Sequence, residues 1–174
     1  MIYSAGNYWV AMVSDLIGAA AFCVFGIRHR SGSPVVAGGL IAIGFIAWGL
    51  IEYALHRWVL HGRPSIAARS HARHHADHAA LISMPAFTVL AGVCGLWMAL
   101  AAAVGLGTAC WLVCGLYFGY NQYALVHHTQ HHRGTPYAYL QHLERAHRLH
   151  HARPRVNFGV TTRLWDRVFG TFQP

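Results

Sequence analysis

The stretch Ala86–His128, "AFTVLAGVCGLWMALAAAVGLGTACWLVCGLYFGYNQYALVHH", decides how this chain is built. Ala86–Val104 and Ala109–Val126 are apolar runs without a charged residue. A helix needs about 20 such residues to cross a bilayer. The break between them, Gly105–Gly107, is too short for anything but the turn of a helical hairpin. The hairpin ends on paired histidines, so the chain enters and leaves it on the same side of a membrane.

Working outward, two more runs have this character. Tyr8–Ile27 is interrupted only by Ser14 and Asp15, and Val35–Leu55 can continue as helix through Val59. "RHRSGSP", Arg28–Pro34, reads as the loop between them. The whole chain is 55% hydrophobic and 10% charged, against about 25% charged in a soluble domain. The expectation is an all-α integral membrane protein. Four transmembrane helices (8–27, 35–55, 86–104 and 109–126) carry polar, partly helical segments at 56–84 and 127–174, and residues 1–174 form one domain. No signal-peptide cleavage pattern follows the first run, which is read as retained.

Both polar segments leave or enter the same helix ends, so they share one membrane face. The net charge of +8 comes entirely from arginine, and eleven of the thirteen arginines lie in these segments; Arg28 and Arg30 lie opposite. The positive-inside rule makes that face and both termini cytoplasmic, as in a bacterial inner membrane. Cys23, Cys94, Cys110 and Cys114 all sit in apolar runs without a CxxC. They read as small buried hydrophobes without a disulfide.

The fifteen histidines are the anomaly. His71, His74 and His75 form HxxHH, as do His147, His150 and His151. His127/His131 and His128/His132 are HxxxH pairs, and His56/His61 is HxxxxH. Positions i, i+3 and i+4 share a helix face, so each HxxHH aims three imidazoles at one place. The i+5 spacing of His56 and His61 drifts around an α-helix and is less simply placed. Imidazole suits Zn, Cu, Fe and Ni, and about ten convergent rings exceed the needs of one ion. The pattern points to two metals in an all-nitrogen site, which a metal-buffering tract or a solvated pH-sensing cluster has no reason to build. A metal transporter is the non-enzyme alternative, but it needs ligands midway along its helices, and the central parts of the third and fourth helices offer only cysteine. His29 and His142 fall outside the spacing. His78, Asp77 and Glu52 are candidates to sit behind the ligands, Glu52 by bonding a ligand histidine or else Arg57. Asp15 is expected to pair with a polar group of a neighbouring helix.

These residues carry a resemblance. "WGLIEYALHRWVLH" (Trp48–His61), "HARHHADHAALISMP" (His71–Pro85), "YALVHHTQHH" (Tyr123–His132), "HRLHH" (His147–His151) and "NFGVTTRLWDRVFGT" (Asn157–Thr171) resemble, in order, the motifs of the fatty acid 2-hydroxylases. These belong to the fatty acid hydroxylase/sterol desaturase superfamily. The fused cytochrome b5 domain of eukaryotic members has no counterpart here, and Ala124 stands where the family usually has Asp. The resemblance implies metal ligands at His56, His61, His71, His74, His75, His127, His131, His147, His150 and His151. For the third motif His128 and His132 are the alternative pair. It implies two iron ions, which zinc can replace on purification, with O2 as co-substrate. It also implies a non-haem di-iron monooxygenase acting on a fatty-acyl or other lipid C–H bond.

Bacterial β-carotene hydroxylases share "HRWVLHG" and "HRLHHA"-like motifs without the C-terminal signature, so a carotenoid hydroxylase is one alternative. A lipid or sterol desaturase of the same superfamily is the other. No nucleotide-binding loop is present, so electrons must come from a separate ferredoxin or cytochrome b5-like donor. An arginine-rich face would steer an acidic donor and equally attract anionic lipid headgroups. The partners expected are thus this donor, the membrane and a hydrophobic substrate, and not nucleic acid. Trp165, Asp166 and Arg167 are expected to fasten the C-terminal segment over the site.

Overall fold

A computed structural model describes residues 4–29, 32–81 and 83–174; Arg30 and part of the expected Arg28–Pro34 loop lie outside them. The described elements are helices: α1 (Ala5–Arg28), α2 (Pro34–Ala54), a π-helical stretch continuing α2 (Leu55–Leu60), α3 (Ile66–Ala76), α4 (Thr88–Val104), α5 (Leu106–His132), α6 (Ala138–Ala152) and α7 (Leu164–Val168). Each apolar run of the sequence becomes one of the long helices. The last run extends six residues beyond its expected end, and this extension carries both HxxxH pairs.

The chain divides into two compact units, 2–48 with 83–121, and 49–82 with 122–174. In the first, Ala19 and Phe22 of α1 pack with Val93 of α4 and Val113, Cys114 and Tyr117 of α5. The α4–α5 turn is made at Gly105, whose φ of 82° is a conformation that favours glycine. Asp15 is buried there and accepts a 2.6 Å hydrogen bond from the Tyr117 hydroxyl on α5, the cross-helix partner anticipated for it. A carboxyl group at that depth needs such a partner.

One reading is overturned in this unit. Cys23 of α1 and Cys114 of α5 are joined by a disulfide across 91 residues of sequence. Spacing within either helix could not show it, because the pair comes from two helices whose neighbourhood only the fold creates.

Among the described residues, two helical stretches, Ala5–Arg28 and Pro34–Leu60, are long and apolar enough to cross a membrane. Only 6% of the most apolar window of the second is buried within the protein, so it is no core helix. Val35, Val36, Ile43 and Ile46 are among the apolar side chains it leaves exposed.

Candidate metal centre

The second unit gathers histidines from four stretches of chain. The π-helix comes first, because it places His56 and His61. The amide of His61 bonds the carbonyl of His56 at 3.1 Å, five residues back. That wider turn is the π-helical i→i+5 pattern, often found at functional sites. It brings residues five apart onto one face, and the two ring centroids are 5.2 Å apart. The awkward spacing of this motif is therefore met by a local change of helix type.

α3 starts at Ser65, whose hydroxyl accepts from the Ala68 amide at 3.0 Å, and it supplies His71, His74 and His75. The last turns of α5 supply His127 and His131, and α6 supplies His147, His150 and His151. These ten rings form two groups of five, one of His56, His61, His71, His75 and His150, the other of His74, His127, His131, His147 and His151. In each group, one nitrogen per ring lies within 4.8 Å of all the others.

The two HxxHH motifs do not each converge on one point. His71 and His75 enter the first group and His74 the second; His147 and His151 enter the second and His150 the first. At about 100° per residue, i and i+4 differ by some 40°, whereas i+3 falls about 60° to the other side. Each motif therefore straddles the two groups, which adjoin: the His75 and His151 rings stack at 4.2 Å.

Protons and lone pairs show what the groups can hold. His56 Nδ1 lies against the Phe158 carbonyl, and His150 Nδ1 lies 2.8 Å from the Val156 carbonyl. A carbonyl oxygen only accepts, so both Nδ1 atoms carry hydrogen and both Nε2 atoms present lone pairs. Those lone pairs face other imidazoles: His56 Nε2 is 3.0 Å from His71 Nε2, and His150 Nε2 is 3.0 Å from His61 Nε2. His71 Nε2 is also 2.9 Å from His61 Nε2 and 3.1 Å from His75 Nε2.

One ring nitrogen cannot bridge three others with one proton. Nitrogens bound to one ion at about 2.1 Å and right angles stand about 3.0 Å apart, so the spacing is that of ligands around a cation. In the second group, His147 Nε2 is 2.9 Å from His131 Nε2 and 3.1 Å from His151 Nε2. His74 Nε2 there is buried without a hydrogen-bond partner. The donor set fits two transition-metal ions and offers no carboxylate ligand.

Burial keeps the rings neutral. It lowers His74 and His150 to about 3, and His75 and His131 to about 4, with neighbouring histidines adding to the effect. The same causes push His71, His147 and His151 down. Neutral imidazole is the metal-binding form.

His128 and His132 lie outside both groups, their own rings 4.7 Å apart. His78 is exposed, its ring 4.3 Å from that of His151. Asp77 is exposed and accepts from the Ala79 amide. Glu52 bonds no histidine. One of its oxygens accepts from the Val160 and Thr161 amides at 2.6 and 3.0 Å, the other from the Thr161 hydroxyl at 2.6 Å. Arg57 donates to the Tyr53 hydroxyl instead of pairing with Glu52. Both carboxyl oxygens of Glu52 are thus spent on the C-terminal segment.

That segment orients the site. Asp166, fully buried, accepts from the Phe158 and Gly159 amides and the Thr171 hydroxyl. Asn157, at a φ of 53°, exchanges two bonds with the backbone of Gln173. The groups that set the His56 and His150 tautomers are therefore backbone carbonyls of a segment that Asp166 holds at Phe158 itself and that Asn157 and Glu52 fasten at Gln173, Val160 and Thr161. Residue type alone cannot reveal a backbone carbonyl. The sequence signal was the run Asn157–Thr171, which contains Asn157, Phe158 and Asp166 but neither Val156 nor Glu52.

A family model described as fatty acid hydroxylase matches residues 41–171. The dihydroceramide fatty acyl 2-hydroxylase FAH2 of Arabidopsis thaliana is 34% identical over 102 residues, 58% of this chain and 43% of that protein. The ceramide very long chain fatty acid hydroxylase scs7 of Schizosaccharomyces pombe is 44% identical over 61 residues, 34% of this chain and 18% of that protein. The chain spans less than half the length of these curated relatives. A solved structure of full-length scs7p, with only the hydroxylase domain visible, superimposes with a TM-score of 0.79 at 25% identity. It covers 97% of this chain and 67% of that one. With the match running through every histidine of both groups, the chain belongs to the fatty acid hydroxylase family.

Proposed function

We propose that this protein is a membrane-bound, O2-dependent di-iron monooxygenase that hydroxylates an aliphatic C–H bond of a lipid acyl chain. The observation that carries the reading is the pairing of the two five-histidine groups, with lone pairs turned inward on rings that burial keeps neutral. Such a set would hold one ion per group and leave the positive charge of both undiminished.

Bound iron at these positions would supply the redox capacity to activate O2. The balance is one C–H bond, one O2, two electrons and two protons giving one C–OH and one water. The electrons come from a separate acidic carrier, a ferredoxin or cytochrome b5-like protein, drawn by the arginine-rich segments. The chain's own residues do the remaining work. The carbonyls of Val156 and Phe158 fix two ring tautomers, and the C-terminal segment covers His56 and His150, both of them buried.

Four membrane spans, α1, α2, α4 and the first part of α5, would bring the acyl chain from the bilayer. Both termini and the histidines would lie on the cytoplasmic side of a bacterial inner membrane, and residues 1–174 would act as a single domain. The acyl substrate class is supported by the activities for which the Arabidopsis and fission yeast relatives are named.

The test is metal analysis of anaerobically prepared, iron-loaded protein, followed by turnover under labelled O2 with a reduced donor. The reading expects two irons per chain and a product heavier by one labelled oxygen atom. A product lighter by two hydrogens would instead make the protein a desaturase. Full activity with no metal, or with one, removes the proposal.

A further inference from the structure

A cavity of about 860 Å³ opens beside the first histidine group, and Arg57, Trp58, His61, Arg63, Arg155 and Phe158 are among its lining residues. The size is that of a small-ligand site. Three guanidinium groups contribute to the lining and no carboxylate does. Arg57 is braced in place: it donates to the Tyr53 hydroxyl at 2.7 Å and lies 5.6 and 5.8 Å from the Trp58 and Phe158 ring centres. Arg63 and Arg155 are exposed and form no ion pair among the described residues.

The cavity meets the metal centre at two residues. His61 both lines it and belongs to the first group. The Phe158 ring, also in the lining, stands 5.6 Å from His61 and 5.4 Å from His150.

We propose that this cavity receives the anionic head of the lipid substrate, a carboxylate or phosphate group, gripped by Arg63 and Arg155 against the braced Arg57. This inference rests on reading the histidine site as a lipid oxygenase and names the class of lipid it takes. Guanidinium forks bind carboxylate and phosphate oxygens through paired, charge-assisted hydrogen bonds. Three like charges around one concave space repel one another until a counter-charge enters. Trp58 and Phe158 give the first methylenes of an acyl chain an apolar surface on the way to His61. A neutral head would leave the guanidinium groups facing one another, so the site selects by charge. An acidic protein donor would use the same arginines from outside, but a concave space of this size fits a small head better than a protein surface.

The experiment measures equilibrium binding of radiolabelled hexadecanoate, hexadecyl phosphate and hexadecanamide to the metal-loaded full chain in nanodiscs of neutral lipid, with empty nanodiscs subtracted. At least one anionic probe should bind about tenfold more tightly than the amide, the order expected for a charge-assisted bond. In the double variant Arg63→Gln/Arg155→Gln that preference should vanish, with metal content and helical circular dichroism unchanged. Equal binding of all three probes to the native chain overturns the proposal, as does a preference that survives in the double variant. So does a variant that binds lipid normally but is reduced more slowly by an acidic ferredoxin, which would assign the arginines to the donor. Because binding needs no turnover, failure of the oxygenase reading shows separately, as absent product or absent metal.

Discussion

The Phe158 amide donates to Asp166 Oδ1 at 2.8 Å, while the carbonyl of the same residue takes Nδ1 of His56. A fully buried carboxylate thus acts on a candidate metal ligand through one amino acid of backbone. Groups that fix the ring orientation of a metal-binding histidine usually matter nearly as much as the ligands. Here the carboxylate stands one step further back than in the common carboxylate–histidine pairing.

Asp166→Asn tests that relay. The carboxylate accepts three bonds, on both oxygens, from Phe158, Gly159 and Thr171. An amide keeps one acceptor oxygen and turns an NH2 group toward a donor. The expected loss is about 2–3 kcal/mol of stability, with affinity for one metal of the two lowered about 10–100-fold. Thermal unfolding and metal titration read the two effects. A variant with native metal affinity would show that His56 does not depend on Asp166.

The division of the histidines predicts how metal is lost. His71→Ala or His150→Ala removes a ring from the first group, and His74→Ala or His147→Ala removes one from the second. Each should lower metal content from about two per chain toward one and abolish hydroxylation. His128→Ala and His132→Ala, outside both groups, should keep both metals. Elemental analysis of all six proteins decides; normal metal content in His150→Ala or loss in His132→Ala contradicts the assignment.

The metal-free protein should be acid-sensitive, and the sign follows from the neutral rings. His74 and His150 are lowered to about 3 and His75 and His131 to about 4 by burial, while an unfolded chain titrates near 6.5. Below about pH 6.5 the unfolded state therefore binds more protons than the folded one, and stability falls as pH drops toward 3–4. Above that window the contribution is flat. Unfolding temperatures of chelator-treated protein at pH 7.5, 6.5 and 5.5 should decline, steeply between the last two. A level profile would mean that the rings are open to solvent.

Much of this was legible in the chain before it folded. Apolar runs set the four long helices, and i, i+3, i+4 spacing put His71–His75 and His147–His151 on helices. The rest depended on long-range geometry. The π-helical turn that aligns His56 with His61 has no signature in residue type. The split of each HxxHH between two groups appears only when α3 and α6 face partners. Glu52 read as a histidine partner because it lies one turn before His56, but the Val160 and Thr161 amides reach it first. The Cys23–Cys114 link escaped for the same reason, since neither helix shows its neighbour.

A last prediction concerns the helices away from the histidines. A side chain at Gly115 of α5 would begin 2.0 Å from the Ile41 carbonyl oxygen, and one at Gly44 of α2 would begin 2.0 Å from the Leu112 carbonyl oxygen. The two helices touch backbone to backbone, the close approach that small residues permit between membrane helices. Neither obstacle is a flexible side chain, so the helices must move apart and give up contacts along their seam. Gly115→Ala should cost more than about 3 kcal/mol, the upper end for overpacking a well-filled interior. Gly38→Ala, also on α2, meets nothing within 4 Å. It should be neutral or slightly stabilising, since alanine is the better helix former by about 1 kcal/mol. Thermal denaturation of both variants in the same detergent separates them; equal melting temperatures would mean that α2 and α5 do not pack at this seam.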